Sequence, residues 1–238
     1  MKITTVLFDL DGTLLPMDFD VFVKAYFDSI TAHLAGYGYD PEAVRAAIWA
    51  GMREMFANDG SRPGEEAFWA GFESVFGSRG DDEAFETYYR DIFDGVAESC
   101  GYTPDAKRTV DYLRERGMRL VLATNPAFPS IATEKRMRWA GVEPTDFELY
   151  TTYENSHFCK PTLGYYREIL QTLGVSAEEC LMVGNDVDDD MVAEQLGMKV
   201  FLLDPWLINR RGVDLTRYPR GGYAELMEYL AKICEKSY

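Results

Sequence analysis

Apolar residues recur along this chain with two different periods, and each period marks a different kind of element. Val6, Leu7 and Phe8 form an unbroken apolar run just before Asp9. Such a run predicts a strand buried on both faces, as in a parallel sheet. Residues 120–123, 181–184 and 199–203 repeat the pattern, and 147–150 predicts a shorter strand. From about Asp20 to Tyr102 the period changes to three and four residues. Phe19, Phe22, Val23, Tyr26, Phe27 and Ile30 predict one helix, ended by Gly36 and Gly38. Asp40 and Pro41 open a second, as N-cap and first helical residue, with Val44, Ala47, Ile48, Met52 and Met55 on its apolar face. A loop over 58–64 and two further helices, over 65–76 and 82–96, complete this stretch.

Beyond it, helices are expected from 103 to 116, up to Gly141, over 162–173, up to Gly197, and over 223–236. Strand and helix then alternate, which predicts an α/β fold built on a Rossmann-like, doubly wound parallel sheet. About eighty consecutive helical residues are too many for a loop inside such a sheet. The predicted organisation is therefore a catalytic core of residues 1–17 and 103–238, interrupted by an all-helical cap over 18–102.

Composition narrows the function classes. The formal net charge of −16 over 238 residues speaks against nucleic acid or an anionic membrane surface as partner. A small phosphorylated metabolite remains compatible, because it responds to local charge. No apolar run approaches the roughly 20 residues that span a bilayer, and the N-terminus does not read as a signal peptide. The four cysteines are scattered, without a C-x-x-C pair, as expected of reduced thiols in a cytoplasmic protein. Only two histidines are present, so chemistry built on imidazole has little to draw on. Nothing in the sequence fixes the oligomeric state.

The candidate chemistry lies where the strands end. Asp9 and Asp11 follow the first strand at a spacing that, on an extended backbone, aims both carboxylates to one side. Such a pair needs a compensating charge, and a divalent cation with oxygen ligands is the simplest one. Thr124 and Asn125 follow the second apolar run, and Asn185 and Asp186 follow the run at 181–184. Ligands of doubly wound sheets bind beyond these carboxyl ends. Lys160 precedes a helix in a position to reach them. Acids with Mg²⁺ on one side of a phosphoryl group, and Lys160, Thr124 and backbone N–H groups on the other, fit phosphoryl transfer through a carboxylate nucleophile. Asp188 and Asp189 read as solvated acids at a helix start, with Asp190 nearer the chemistry.

Four ordered motifs resemble the haloacid dehalogenase-like superfamily, in its phosphatase form with a small helical cap: Asp9-Leu10-Asp11-Gly12-Thr13; the strand ending in Thr124; Lys160-Pro161; and Val183-Gly184-Asn185-Asp186 followed by Asp190. The resemblance implies a Mg²⁺-dependent hydrolase of small phosphomonoesters. By position, Asp9 is the nucleophile that becomes an aspartyl-phosphate, and Asp11 is the acid/base. Gly12, Thr13, Thr124, Asn125 and Lys160 are implied to bind phosphate, with Lys160 also steadying the nucleophile. The implied metal ligands are the Asp9 carboxylate, the Asp11 carbonyl and Asp186, with Asn185 and Asp190 as secondary candidates. Asn185 stands where many members carry Asp; Asp186 is preferred because a carboxylate is the better ligand for a hard cation.

A sugar-phosphate mutase shares the nucleophile and acid/base and is the alternative, followed by a non-catalytic binding module. Dehalogenase chemistry is disfavoured because Asp11 is present. Phosphonate hydrolysis is disfavoured because Lys24 is the only lysine of the expected cap.

Overall fold

The computed structural model describes residues 2–235. Six strands form one parallel sheet: β1 (Thr5–Phe8), β2 (Arg119–Leu122), β3 (Leu149–Tyr150), β4 (Cys180–Gly184), β5 (Lys199–Leu203) and β6 (Arg220–Gly221), in the order β3-β2-β1-β4-β5-β6. The chain runs outward from β1 to β3, then returns to place β4 on the other side of β1. The β1–β4 boundary is thus the topological switch point, where doubly wound sheets open a crevice.

Alternation along the strands sorts the core into two layers. Val6, Phe8, Leu120, Leu122, Leu181, Val183, Phe201 and Leu203 pack on one face, while Leu7, Val121, Met182, Val200 and Leu202 pack on the other. Both faces are dry, which is why the strands read as continuous apolar runs rather than alternating ones.

Helices α1 (Phe19–Ala35), α2 (Pro41–Phe56), α3 (Gly64–Phe76) and α4 (Asp82–Thr87) make the insert. Three of these starts are written locally. The Asp18 carboxylate accepts from the Asp20 and Val21 amides, Asp40 accepts from the Ala43 amide with Pro41 just inside, and Asp81 accepts from the Glu83 amide. The expected fourth helix over 82–96 is not one α-helix. After Thr87 the chain widens into a π turn (Tyr88–Ile92) and tightens into a 3₁₀ helix (Phe93–Ser99). The buried residues explain this: Ala84 and Tyr88 are four apart, Tyr88 and Phe93 five, Phe93 and Val96 three. Each spacing suits its own helix type, and together they keep one face inward.

The remaining helices are α5 (Pro104–Arg114), α6 (Ser130–Trp139), α7 (Leu163–Leu173) and α8 (Tyr223–Glu235). The expected final helix reached Lys236, which lies outside the described residues. The helix expected before Gly197 is a short 3₁₀ segment, Met191–Leu196. Strand β6 was not expected; two residues ending in Gly221 carry no apolar signal. Among the described residues no helix is long and apolar enough to cross a membrane.

The insert leaves and returns side by side: Met17 and Cys100 bridge antiparallel, and the Gly101 amide donates to Pro16 O at 2.6 Å. The apolar cluster on the Val6 face continues without a break into the insert through Phe22, Tyr26, Phe93 and Phe128.

Candidate active site

Asp9 follows β1 directly, and its amide donates to Val183 O of the neighbouring strand at 2.9 Å. Leu10 to Leu15 is then a turn, not a continued strand: the Thr13 and Leu15 amides both donate to Leu10 O. The extended-spacing argument for Asp9 and Asp11 therefore does not apply, yet both residues line the same cavity. The turn needs glycine at position 12. Gly12 has φ +82°, and a Cβ there would fall 2.2 Å from the Asn185 amide nitrogen.

Lys160 is the hub of the charged floor. Its buried amine donates to Asp9 Oδ1 at 2.8 Å and to Asp190 Oδ1 at 2.6 Å. Burial works against this charge, but the carboxylates of Asp190 and Asp9 outweigh it and hold the Lys160 pKa well above its usual value. Burial likewise pushes Asp190 upward, with Lys160 pulling the other way. Asp190 Oδ2 accepts from the Asp186 amide at 3.0 Å. A Cβ on Gly184 would sit 2.1 Å from that same oxygen, so the Gly at the end of β4 is what lets Asp190 in.

Asp11 is held by a residue that sequence reasoning missed. Arg136, fully buried on α6, donates to Asp11 Oδ2; its guanidinium also lies 4.5 Å from the Phe128 ring centroid. Burial raises the Asp11 pKa, Arg136 opposes that, and Asp9 adds to it; the net direction is upward. The other oxygen, Asp11 Oδ1, is buried without a protein partner. The signal for Arg136 was present: Ala132, Thr133, Arg136, Met137 and Ala140 form the inward stripe of α6. Lys135 and Arg138 flank it and mask the stripe.

The other expected residues divide into two groups. Thr124, Asn125, Asn185, Asp186 and Asp190 line the cavity with Asp9, Asp11 and Lys160. Thr124 O accepts from Thr151 Oγ1 and Tyr165 OH, which fixes the main chain there. Asn125 Oδ1 is buried without a protein partner. Gly12 and Thr13 are not part of the cavity wall. Their amides are spent on Leu15 O and Leu10 O, where they hold the turn that carries Asp11. The Thr13 hydroxyl lies 3.3 Å from Asp9 Oδ2 and 3.2 Å from Asn185 Oδ1, and donates to one at a time. Asp189, expected to be solvated, is half-buried in the cavity wall, and burial pushes its pKa up to about 6 against the pull of Lys160. Asp188 pairs with Arg211.

A divalent cation fits this donor set. Asp9, Asp186 and Asp190 are buried carboxylates beside Asp11, and the buried cations available to them are Lys160 and Arg136. The deficit of positive charge and the all-oxygen chemistry both suit a hard cation. Among the described residues no three acid, His or Cys side chains converge on one point. The implied set, two carboxylates with a main-chain carbonyl and water, does not require that. Asn185 is tied at both ends, to Trp206 O through its nitrogen at 2.7 Å and to Thr13 through its oxygen. Asp186 Oδ1 accepts from the Asp188 and Asp189 amides, while Oδ2 has only the exposed Arg210 at 3.6 Å.

Known proteins share this architecture. The chain is 29% identical over 210 residues to a ribulose-1,5-bisphosphate 5-phosphatase of Halopiger xanaduensis, covering 85% of each protein. It is 25% identical over 211 residues to the pyrophosphatase PpaX of Bacillus cereus, covering 89% of this chain and 87% of that one. Its fold is similar to that of a 2-haloacid dehalogenase from Pseudomonas syringae, with a TM-score of 0.63 and 21% identity over 97% of this chain and 99% of the other. A HAD phosphatase from Thermococcus onnurineus matches with a TM-score of 0.56 and 22% identity, over 97% and 98% of the two chains. Residues 3–197 match the haloacid dehalogenase-like hydrolase family, and with the switch-point carboxylates in place the chain belongs to that family.

Proposed function

We propose that this protein is a phosphatase that hydrolyses a small phosphomonoester through an aspartyl-phosphate on Asp9. The phosphatase names of its relatives support hydrolysis of a phosphoric ester. The observation that carries the residue assignment is Asp9, pinned through Oδ1 by Lys160, with Asp11 two residues on and both opening into one cavity.

Asp9 attacks phosphorus, and the P–O bond to the alcohol breaks. Asp11, whose pKa is raised and whose Oδ1 has no protein partner, delivers its proton to the departing alkoxide. Asp11 then takes a proton from water; the hydroxide attacks phosphorus, releasing phosphate and restoring the Asp9 carboxylate. Lys160 offsets charge on the phosphoryl oxygens and keeps Asp9 oriented. Thr124 and Asn125 at the end of β2 bound the other side of the phosphoryl group. Mg²⁺, held by the Asp9 carboxylate, the Asp11 carbonyl and Asp186, would neutralise phosphoryl charge there. The helices of 18–102 act as the cap and the remainder as the core.

The test is phosphate release by the purified protein from a panel of phosphomonoesters, with Mg²⁺ and with EDTA. Release that depends on the cation is expected. No release from any ester, including the reactive 4-nitrophenyl phosphate, would reject the reading. Conversion between sugar phosphates without net phosphate would move it to a mutase.

A further inference from the structure

The charged floor occupies one end of a much larger space. A cavity of about 920 Å³ runs from Asp9, Asp11 and Lys160 up to the inner faces of α1, α2 and α3. That is near the top of the range for small-molecule sites, roughly 300–1,000 Å³. A phosphoryl group with a short polar chain would leave most of it empty.

The upper walls are apolar. Phe19, Phe27, Trp49, Met52, Phe56 and Phe68 line it, with Phe27 and Trp49 stacked at 5.1 Å between centroids. Phe19, Trp49 and Phe56 remain 44%, 40% and 41% exposed while lining this cavity. Large side chains that keep so much uncovered surface inside one concavity mark a place where another apolar body sits.

The polar groups of the insert that reach the cavity do not suit a second anion. Arg79 is spent on Asp82 at 2.9 Å, on Glu65 at 3.5 Å and on the Trp69 ring at 4.5 Å. Arg90 is spent on Asp91 and Thr87. Glu65, Asp82 and Glu86 line the same walls. Lys24 pairs with Asp28 on the exposed face of α1. The charged groups of the upper cavity are thus three carboxylates against two arginines that are already paired. A second phosphate would meet those paired arginines in the upper cavity, while Arg210, also on the wall, sits 3.6 Å from Asp186 at the charged floor.

We propose that the substrate is a monophosphate ester of a large hydrophobic alcohol, whose phosphate rests on the Asp9–Lys160 floor and whose apolar body fills the cavity under α1–α3. This rests on the phosphatase reading above. The bond that breaks is the P–O bond to that alcohol, which leaves with the proton from Asp11, and water then frees the phosphate from Asp9.

Primary alkyl esters of similar intrinsic reactivity test it, with pyrophosphate, a phosphoanhydride, as a separate comparison. Phosphate release by the full chain with Mg²⁺ would be compared for 4-phenylbutyl phosphate, octyl phosphate, glycerol 3-phosphate, ribulose 1,5-bisphosphate and pyrophosphate, with 4-nitrophenyl phosphate as an activity control. At least about a tenfold higher kcat/KM is expected for the two apolar esters, mainly through KM. Trp49→Glu puts a carboxylate on the exposed wall and should shrink that ratio about tenfold, while circular dichroism reports an intact fold. Turnover of 4-nitrophenyl phosphate together with a preference for the polar esters would overturn the substrate class and leave the phosphatase reading standing. Preference for the apolar esters that Trp49→Glu does not change would also overturn it, by removing the cavity as its cause. Silence on every ester would overturn both.

Discussion

A carboxylate beside a buried guanidinium is ordinarily ionised at neutral pH, and at Asp11 burial and Asp9 oppose that pairing. The result is an acid whose proton affinity is raised while its orientation is fixed by Arg136. Arg136→Met removes the buried partner and should cost about 3–5 kcal/mol of unfolding free energy, read by urea denaturation. Adding Asp11→Asn should recover part of that loss, because no carboxylate is then stranded; equal stability of the single and double variants would show that the pair is not coupled. Asp9→Asn keeps the shape and removes the nucleophile. Phosphate release should fall to background with the thermal transition little changed, and wild-type turnover would reassign the nucleophile. For the metal, Asp186 Oδ2 is the freer donor and Asn185 is tied at both ends. Asp186→Ala should therefore raise the Mg²⁺ concentration for half-activation more than Asn185→Ala does; the opposite order would move the ligand to Asn185.

At the scale of elements, what was legible in the sequence were features with a local cause. The continuous apolar runs of β1, β2, β4 and β5 follow from burial on both faces, and the cap at Asp40 follows from unsatisfied amides at a helix start. That Asp9, Thr124 and Asn185 meet at one cavity was legible for the same reason, since each follows a recognisable strand. What escaped depends on partners distant in sequence. The π turn at Tyr88 fits rings to α1, β6 forms by pairing with β5, and Arg136 is explained by Asp11, 125 positions away. Gly184 joins the two kinds: a strand-end glycine is visible, but its reason is the Asp190 carboxylate lying against it. Gly184→Ala should push that carboxylate away from Lys160. A loss of about 1–3 kcal/mol is expected from overpacking, with a larger proportional loss of activity. Full activity in that variant would mean that the Lys160–Asp190 contact has no part in catalysis.

For the whole molecule, the question is how a ligand enters a cavity roofed by the insert. The paired entry and exit chains at Met17 and Cys100 are where the insert could turn on the core. Two further ties oppose a free swing. The Gly64 and Glu65 amides, at the start of α3, donate to Ser156 O and Tyr153 O of the core at 2.8 and 2.7 Å, and Asn58 Nδ2 bridges Arg62 O and His157 O. At the other end, Lys135 of α6 donates to Arg90 O and Trp139 donates to Asp94. The first tie is backed by a small apolar cluster of its own, Met55, Ala67 and Cys159, separate from the main core, and such small clusters open at lower cost than a continuous core. The second lies beside the tilted Phe93 and Trp139 rings, inside the continuous apolar cluster. We therefore expect the 58–65 end to release first, with α2 and α3 lifting together while the 88–99 segment stays on α6. Asn58→Ala removes the bridge without touching the floor of the site. Amide exchange at Gly64 and Glu65 should accelerate, and relaxation dispersion on the microsecond–millisecond scale should grow across α2 and α3 but not at Phe93. Exchange that speeds equally at both ends would instead describe a rigid cap turning about the Met17–Cys100 crossing, and unchanged exchange at Gly64 would deny Asn58 any part in holding the roof shut.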